Sequence, residues 1–128
     1  MTTKEIGERG EKAAERFLTQ NGYRVLEKNR HESHNEIDII AVNKEYLVFA
    51  EVKTRTLQKD WHSAYGSPAS AVTKAKQTRL INAARSYIPK QKKYVGLQPR
   101  FDVIEVYIDK DTNEISDIHH IINAFGRT

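Results

Sequence analysis

The chain contains no cysteine, so disulfides and thiolate-bound metals are excluded and redox state is irrelevant to its folding. No apolar run approaches the length of a membrane span. Met1-Thr-Thr-Lys4 leads into a polar, acid-bearing segment rather than a signal sequence. Both absences point to a cytoplasmic protein. Internal repeats, low-complexity tracts and linker-like stretches are also missing, so the 128 residues read as one domain, long enough to bury a core. Charge imbalance is small as well. Against 17 acidic residues stand 21 lysines and arginines, a net charge of +4, which permits a polyanionic partner but serves solubility equally well.

What is present is an ordered series of periodic segments. From Lys4 to Gln20 the positions Ile6, Ala13, Ala14, Phe17 and Leu18 recur at helical spacing, and Asn21-Gly22 supplies a stop. Tyr23–Asn29 reads as a first strand, with the polar run Arg30–Asn35 as its connection to a second, Glu36–Val42. A third runs from Tyr46 to Thr54, with Leu47, Phe49, Glu51 and Lys53 on one face and Val48, Ala50 and Val52 on the other. Apolar residues on both faces make it a central strand covered on both sides. Leu57–Gly66 has no period and reads as a loop at the edge of the site. Ser67-Pro68 has the order of an oxygen cap followed by proline, Thr73 offers a restart, and a helix continues to about Ile88, before Pro89. Lys90–Lys93 and Gly96 form a basic turn. Phe101–Ile108 and Glu114–Ile122 read as two further strands around a turn at Asp109–Asn113. Helix, three strands, helix and two strands imply an α/β fold with a mixed central sheet flanked by helices.

The chemistry concentrates in Asn35-Glu-Ile-Asp38 and Glu51-Val-Lys53. Acids and a lysine amid Ile, Val and Phe on strands call for pairing or a ligand. Asp38 and Glu51 meet only if strands two and three pair with an odd residue sum. That requires an even hairpin loop, either Lys44-Glu45 or Asn43–Tyr46. Two carboxylates beside an ammonium suit a hard divalent cation, Mg²⁺ or Mn²⁺, and a water to be activated. A salt bridge from Lys53 to one acid is the plain alternative, but it leaves the second acid unpaired.

Gly7-Glu-Arg-Gly-Glu11-Lys-Ala-Ala, Asn21-Gly-Tyr23, Asn35-Glu-Ile-Asp38, Phe49-Ala-Glu51-Val-Lys53-Thr-Arg55, Gly66-Ser-Pro68, Ala71-Val-Thr73, Lys76-Gln77 and Arg100-Phe-Asp102-Val follow at familiar spacings. Together, from Gly7 to about Val106, they resemble the uncharacterised YraN family of small bacterial proteins. The resemblance implies a restriction-endonuclease-like fold similar to archaeal Holliday-junction resolvases, and hence a nuclease-type site. It implies that Glu11 is an outer acid of the metal shell, that Asp38 and Glu51 are the metal ligands with the Val52 carbonyl adding an oxygen, and that Lys53 orients the attacking water. It further implies that Gln77, or Lys76 beside it, reaches toward the phosphate. Relatives carry glycine where this chain has Asn35, a residue that tolerates the left-handed backbone expected there.

Other residues carry plainer readings. Glu36 can bridge to Arg30 behind the site. The histidines at 31, 34, 62, 119 and 120 lack metal-ligand spacing and read as isolated polar residues. Trp61 and Tyr65 suit either base stacking or anchoring of a loop. Arg55, Lys74, Lys76 and Arg79 are candidate nucleic-acid contacts, and Lys59, Lys90, Lys92 and Lys93 could extend that rim. Metal-dependent hydrolysis of DNA, branched DNA by resemblance, is the leading expectation, with a homodimer possible. A binding module without efficient catalysis is the rival, and a purely structural ion-paired protein stands third.

Overall fold

The computed structural model describes residues 1–57 and 72–126. Helix α1 (Thr3–Gln20) begins at a capping box, in which the Thr2 hydroxyl accepts from the Glu5 N–H at 3.1 Å and the Glu5 carboxylate accepts from the Thr2 N–H at 3.0 Å. It ends where Asn21-Gly22 predicts, with Gly22 at φ +89. The strands β1 (Arg24–Glu32), β2 (Asn35–Val42), β3 (Tyr46–Leu57), β4 (Gln98–Asp109) and β5 (Ile115–Phe125) form one sheet in chain order. All neighbours are antiparallel except β3 and β4, and that parallel step is bridged by helix α2 (Lys74–Tyr87).

One helix covers each face. Leu47 and Phe49 of β3 pack with Leu80, Ala83 and Tyr87 of α2 and with Phe101 of β4. Val48, Ala50 and Val52, alternating with them, pack with Ala14 and Leu18 of α1 and with Ile104. Strand β3 is central and covered twice, as its two apolar faces predict. The result is an α/β fold, a mixed five-stranded sheet flanked by helices and consistent with a restriction-endonuclease-like arrangement.

Several boundaries differ from the sequence reading: β3 runs past Thr54 to Leu57, the residue at which the sequence predicts a loop to begin, and β4 starts at Gln98 rather than Phe101. Strand β1 runs on through Arg30–Glu32, and only Ser33 and His34 connect it to β2, both left-handed at φ +50 and +66. Two positive φ values in a two-residue loop make the turn whose twist matches paired strands. Asn35 lies in β2 and is not among the left-handed residues, so the conformation expected of it belongs to its two predecessors. Helix α2 starts at the Thr73 cap, whose hydroxyl accepts from Lys76 N–H at 3.1 Å, and passes into a short 3-10 turn at Ile88–Lys90. The cap expected at Ser67-Pro68 lies outside the described residues. Strand β5 extends past Ile122 to Phe125.

The long β1–β2 hairpin is held to α2 by Glu32. Its carboxylate, 1% exposed, accepts from Lys90 at 2.6 Å, from Ser86 at 2.7 Å and from Arg30 at 2.8 Å. Lys90 is thus engaged here rather than on a phosphate rim, and Arg30 pairs with Glu27 and Glu32, leaving Glu36 to His31 at 3.3 Å. The bonds from Lys90, then Ser86, then Arg30 lower the Glu32 pKa to about 2 from 4.5, against the opposing effect of burial. A depressed carboxyl pKa contributes stability that is complete above the unfolded value of 4.5 and is lost as pH falls toward 2. Glu32→Gln should therefore cost about 1–2 kcal/mol at neutral pH, Lys90 and Arg30 being partly solvated. Urea unfolding across a pH series should show wild type and variant converging in the acid range. A gap independent of pH would contradict the assignment.

Gly10 sets the seat of α1. A Cβ placed there would lie 1.7 Å from Thr54 Oγ1 of β3, so the helix backbone rests directly on the sheet. In an ordinary helix interior, glycine to alanine gains up to about 1 kcal/mol. Here Gly10→Ala should instead cost about 1–3 kcal/mol by overpacking. Denaturant unfolding checks the sign, and stabilisation would show that the contact yields without cost.

Candidate metal-binding site

The β2–β3 register places the two central acids together. Ile39 pairs with Ala50 and Val42 with Leu47, an odd sum, and continuing that register sets Asp38 beside Glu51. The last β2–β3 pair, Val42 with Leu47, leaves four residues, Asn43–Tyr46, across the hairpin, one of the two even spans anticipated, with Tyr46 already in β3 through its pairing with β4. The Asn43 N–H donates to the Tyr46 carbonyl at 3.1 Å, and the Asn43 side chain accepts from the Glu45 and Tyr46 N–H groups at 2.9 and 2.8 Å. Asp38 Oδ2 accepts from the Val52 N–H at 2.8 Å, which draws its carboxylate across onto β3.

Glu51 is buried, 3% exposed. Its pKa is pushed up to about 8 by burial first, then by a hydrogen bond with Asp38 and by Asp38's negative charge, while Lys76 and Lys53 act in the opposite direction. Burial beside a second carboxylate thus favours the protonated form of Glu51. Glu51 Oε2 is buried and accepts no hydrogen bond. The nearest cation is Lys76 Nζ of α2, at 3.4 Å.

Around this pair the other anticipated residues fall at different depths. Lys53, on the same face two residues beyond Glu51, is half-buried and makes no ion pair within 4.0 Å among the described residues. Glu11 approaches from α1. Its pKa is raised by burial and then by the charge of Asp38, with a hydrogen bond from Asn29 opposing. Among the described residues no three acidic or histidine side chains gather closely enough to hold a metal ion, so Glu11 stands outside the Asp38–Glu51 pair. Gln77 turns away, its amide donating to the Val72 carbonyl at 3.0 Å. Lys76 and Arg79 line a pocket of about 250 Å³ with Asp38, Glu36, His34 and Asn35. Lys74 is exposed on the first turn of α2. Arg55 Nε lies 3.4 Å from Glu105 of β4, a fully buried carboxylate that also accepts from the Tyr107 hydroxyl. Lys59, Trp61, His62 and Tyr65 lie outside the described residues.

Two features escaped the sequence reading. Asn29 stands where β1 faces Asp38, between the pairs Lys28–Ile39 and Arg30–Ile37, with a left-handed backbone at φ +51. Its bond to Glu11 ties the helix to the site. An asparagine within a strand pattern was the available signal, since Asn tolerates this conformation. On the α1 face, Asp102 is fully buried and accepts from Arg100 at 2.9 and 2.7 Å and from the Asn123 N–H at 2.9 Å, with His120 Nε2 at 2.7 Å. Burial alone would raise its pKa, but these partners hold it below the ordinary carboxylate value. His120 is thus a buried structural partner rather than an isolated polar histidine.

The donor set fits a hard divalent cation. Such ions take carboxylate, carbonyl and water oxygens; Asp38 and Glu51 supply two carboxylates, and Glu51 Oε2 is an acceptor without a donor. Lys76, 3.4 Å from Glu51, offsets part of the charge that such an ion would neutralise.

Comparison with known proteins agrees with the resemblance read from the motifs. A UPF0102 protein of Caldanaerobacter subterraneus subsp. tengcongensis is 42% identical over 122 residues, 95% of each chain. One from Clostridium acetobutylicum is 41% identical over 122 residues, 95% of this chain and 94% of the relative. One from Clostridium perfringens is 44% identical over 122 residues with the same coverage. The family model described as "Uncharacterised protein family UPF0102" matches residues 10–106. With the site-bearing strands inside that match and the relatives aligned almost end to end, the chain belongs to UPF0102, the YraN family.

Proposed function

We propose that the protein is a metal-dependent phosphodiester hydrolase acting on DNA in the bacterial cytoplasm. The observation that carries this reading is the meeting of Asp38 and the buried Glu51, with Lys53 beside them and a pocket alongside whose lining adds Lys76 and Arg79 to Glu36 and Asp38. Mg²⁺ or Mn²⁺ bound by these acids would supply charge for the transition state and acidify a bound water. The protein's own residues do the rest. Asp38, fixed by the Val52 N–H, and Glu51 set the ligand geometry. Lys53 orients the attacking water and offsets charge on the phosphate, and Lys76 and Arg79 hold a phosphate in the pocket. Glu11 closes the outer side. Branched DNA is the favoured substrate on the resemblance to junction resolvases.

Cleavage of labelled duplex, single-stranded, flap and four-way DNAs, with Mg²⁺ or Mn²⁺ and with chelator, tests the proposal. Metal-dependent cuts lost on chelation are expected. A second reading, a DNA-binding module without efficient catalysis, draws on Lys76 lying over Glu51 where a cation would compete with it. DNA binding with no cleavage of any substrate would favour that reading.

A further inference from the structure

The sheet has two edges, β1 and β5, and they are defended unequally. Strand β1 carries Arg24, Lys28 and Arg30, a bulge between Val25 and Glu27, and left-handed Asn29. Charges and bulges of this kind keep an edge from pairing with another chain. Strand β5 has no lysine, arginine or proline from Ile115 to Phe125. Its irregularities fall at the two ends, a register shift opposite Tyr107 and Ile108 and left-handed Asn123. The regular stretch between, Asp117–Ile122, includes Ile122 at 54% exposure.

We propose that this edge pairs with the same edge of a second copy, antiparallel, to give a symmetric dimer with one continuous sheet. The inference does not depend on the hydrolase reading. A two-fold axis normal to the sheet keeps each face on its own side, so residues opposite one another must share parity. That leaves few registers, and charge discriminates among them. Centring on Asp117 sets two carboxylates together. Centring on His119 sets two imidazoles together and Asp117 against an isoleucine. Centring on His120 places Asp117 against Asn123, whose backbone leaves the ladder. Centring on Ile118 instead places Asp117 opposite His119 of the partner subunit, twice, about a central pair of Ile118 side chains. Asp117 and His119 are solvent-accessible, at 60% and 48% side-chain exposure, and already approach one another within the chain at 2.8 Å, so a second copy extends an existing alternation of charge. They lie on the α2 face, because Glu105 pairs with His119 and Tyr107 with Asp117. Both candidate metal sites would therefore open on the same side of the joined sheet.

Sedimentation of the full chain tests this. Wild type should reach dimer mass by about 100 μM, as expected of a modest interface. Asp117→Arg alone and His119→Glu alone should each sediment as monomers, because the first removes the carboxylate that faces His119 of the partner subunit and the second sets two carboxylates across the axis. An equimolar mixture of the two should recover the dimer, since one opposite-charge pair is regained and one native pair kept. Circular dichroism should show both variants folded. A wild type that stays monomeric, single variants that remain dimeric, or a mixture that fails to reassociate would each overturn the proposal.

Discussion

Glu51→Gln is expected to make the protein more stable while abolishing any metal-dependent cleavage. The reason is the direction of the Glu51 pKa, raised from 4.5 to about 8 by burial and by Asp38. An acid with a raised folded-state pKa holds its proton in the folded protein after the unfolded chain has released it. Stability therefore falls as pH climbs from 4.5 toward 8. Glutamine keeps the shape, can donate to Asp38, and cannot ionise. The variant should gain about 1–2 kcal/mol at neutral pH, with the gain shrinking toward pH 4.5. Urea titrations at several pH values read this directly. If Glu51 were instead a structural ion-pair partner of Lys76, 3.4 Å away, the substitution would cost stability. Sites built for a cation store repulsion in its absence, whereas structural salt bridges do not.

Lys53→Ala should lower cleavage by about a hundredfold or more, the scale of removing one positioned electrostatic group. Folding should be little changed, because Lys53 is half-buried and makes no ion pair among the described residues. DNA affinity should change far less than rate, since the phosphate contacts proposed for Lys76 and Arg79 would remain. Single-turnover cleavage, equilibrium binding and thermal unfolding separate the three quantities. A variant that unfolds would make Lys53 a structural cation. One that cuts at the wild-type rate would remove it from the chemistry.

Much of this arrangement was legible in the chain because it depends on local pattern. Apolar residues on both faces marked β3 as central, Asn21-Gly22 marked the end of α1, and Thr73 marked a helix cap. The meeting of Asp38 and Glu51 followed from parity alone, once the loop was even. What stayed hidden depends on distant partners or on conformations the residue type does not announce. Ser33-His34 adopts a turn usually signalled by Asn-Gly, held in place by Glu32 reaching Ser86 and Lys90 far along the chain. His120 read as an isolated polar residue until the fold brought Asp102 beneath it, with Arg100 on the same carboxylate. Glu105 is one charge in an apolar strand, and only the parallel pairing with β3 sets it beside Lys53 and near Arg55. Motif resemblance could name Glu11 as an acid of the site. It could not show that Asn29, in a left-handed backbone opposite Asp38, ties that helix to the sheet.

Calorimetric titration of Mn²⁺ into wild type and into the Asp38→Asn, Glu51→Gln double variant bears most directly on whether the acid pair is a cation site. Wild type should bind through oxygen ligands, weakly without a phosphate to complete the shell, and the double variant should lose that binding while remaining folded. Equal Mn²⁺ affinity in the two proteins would contradict the account.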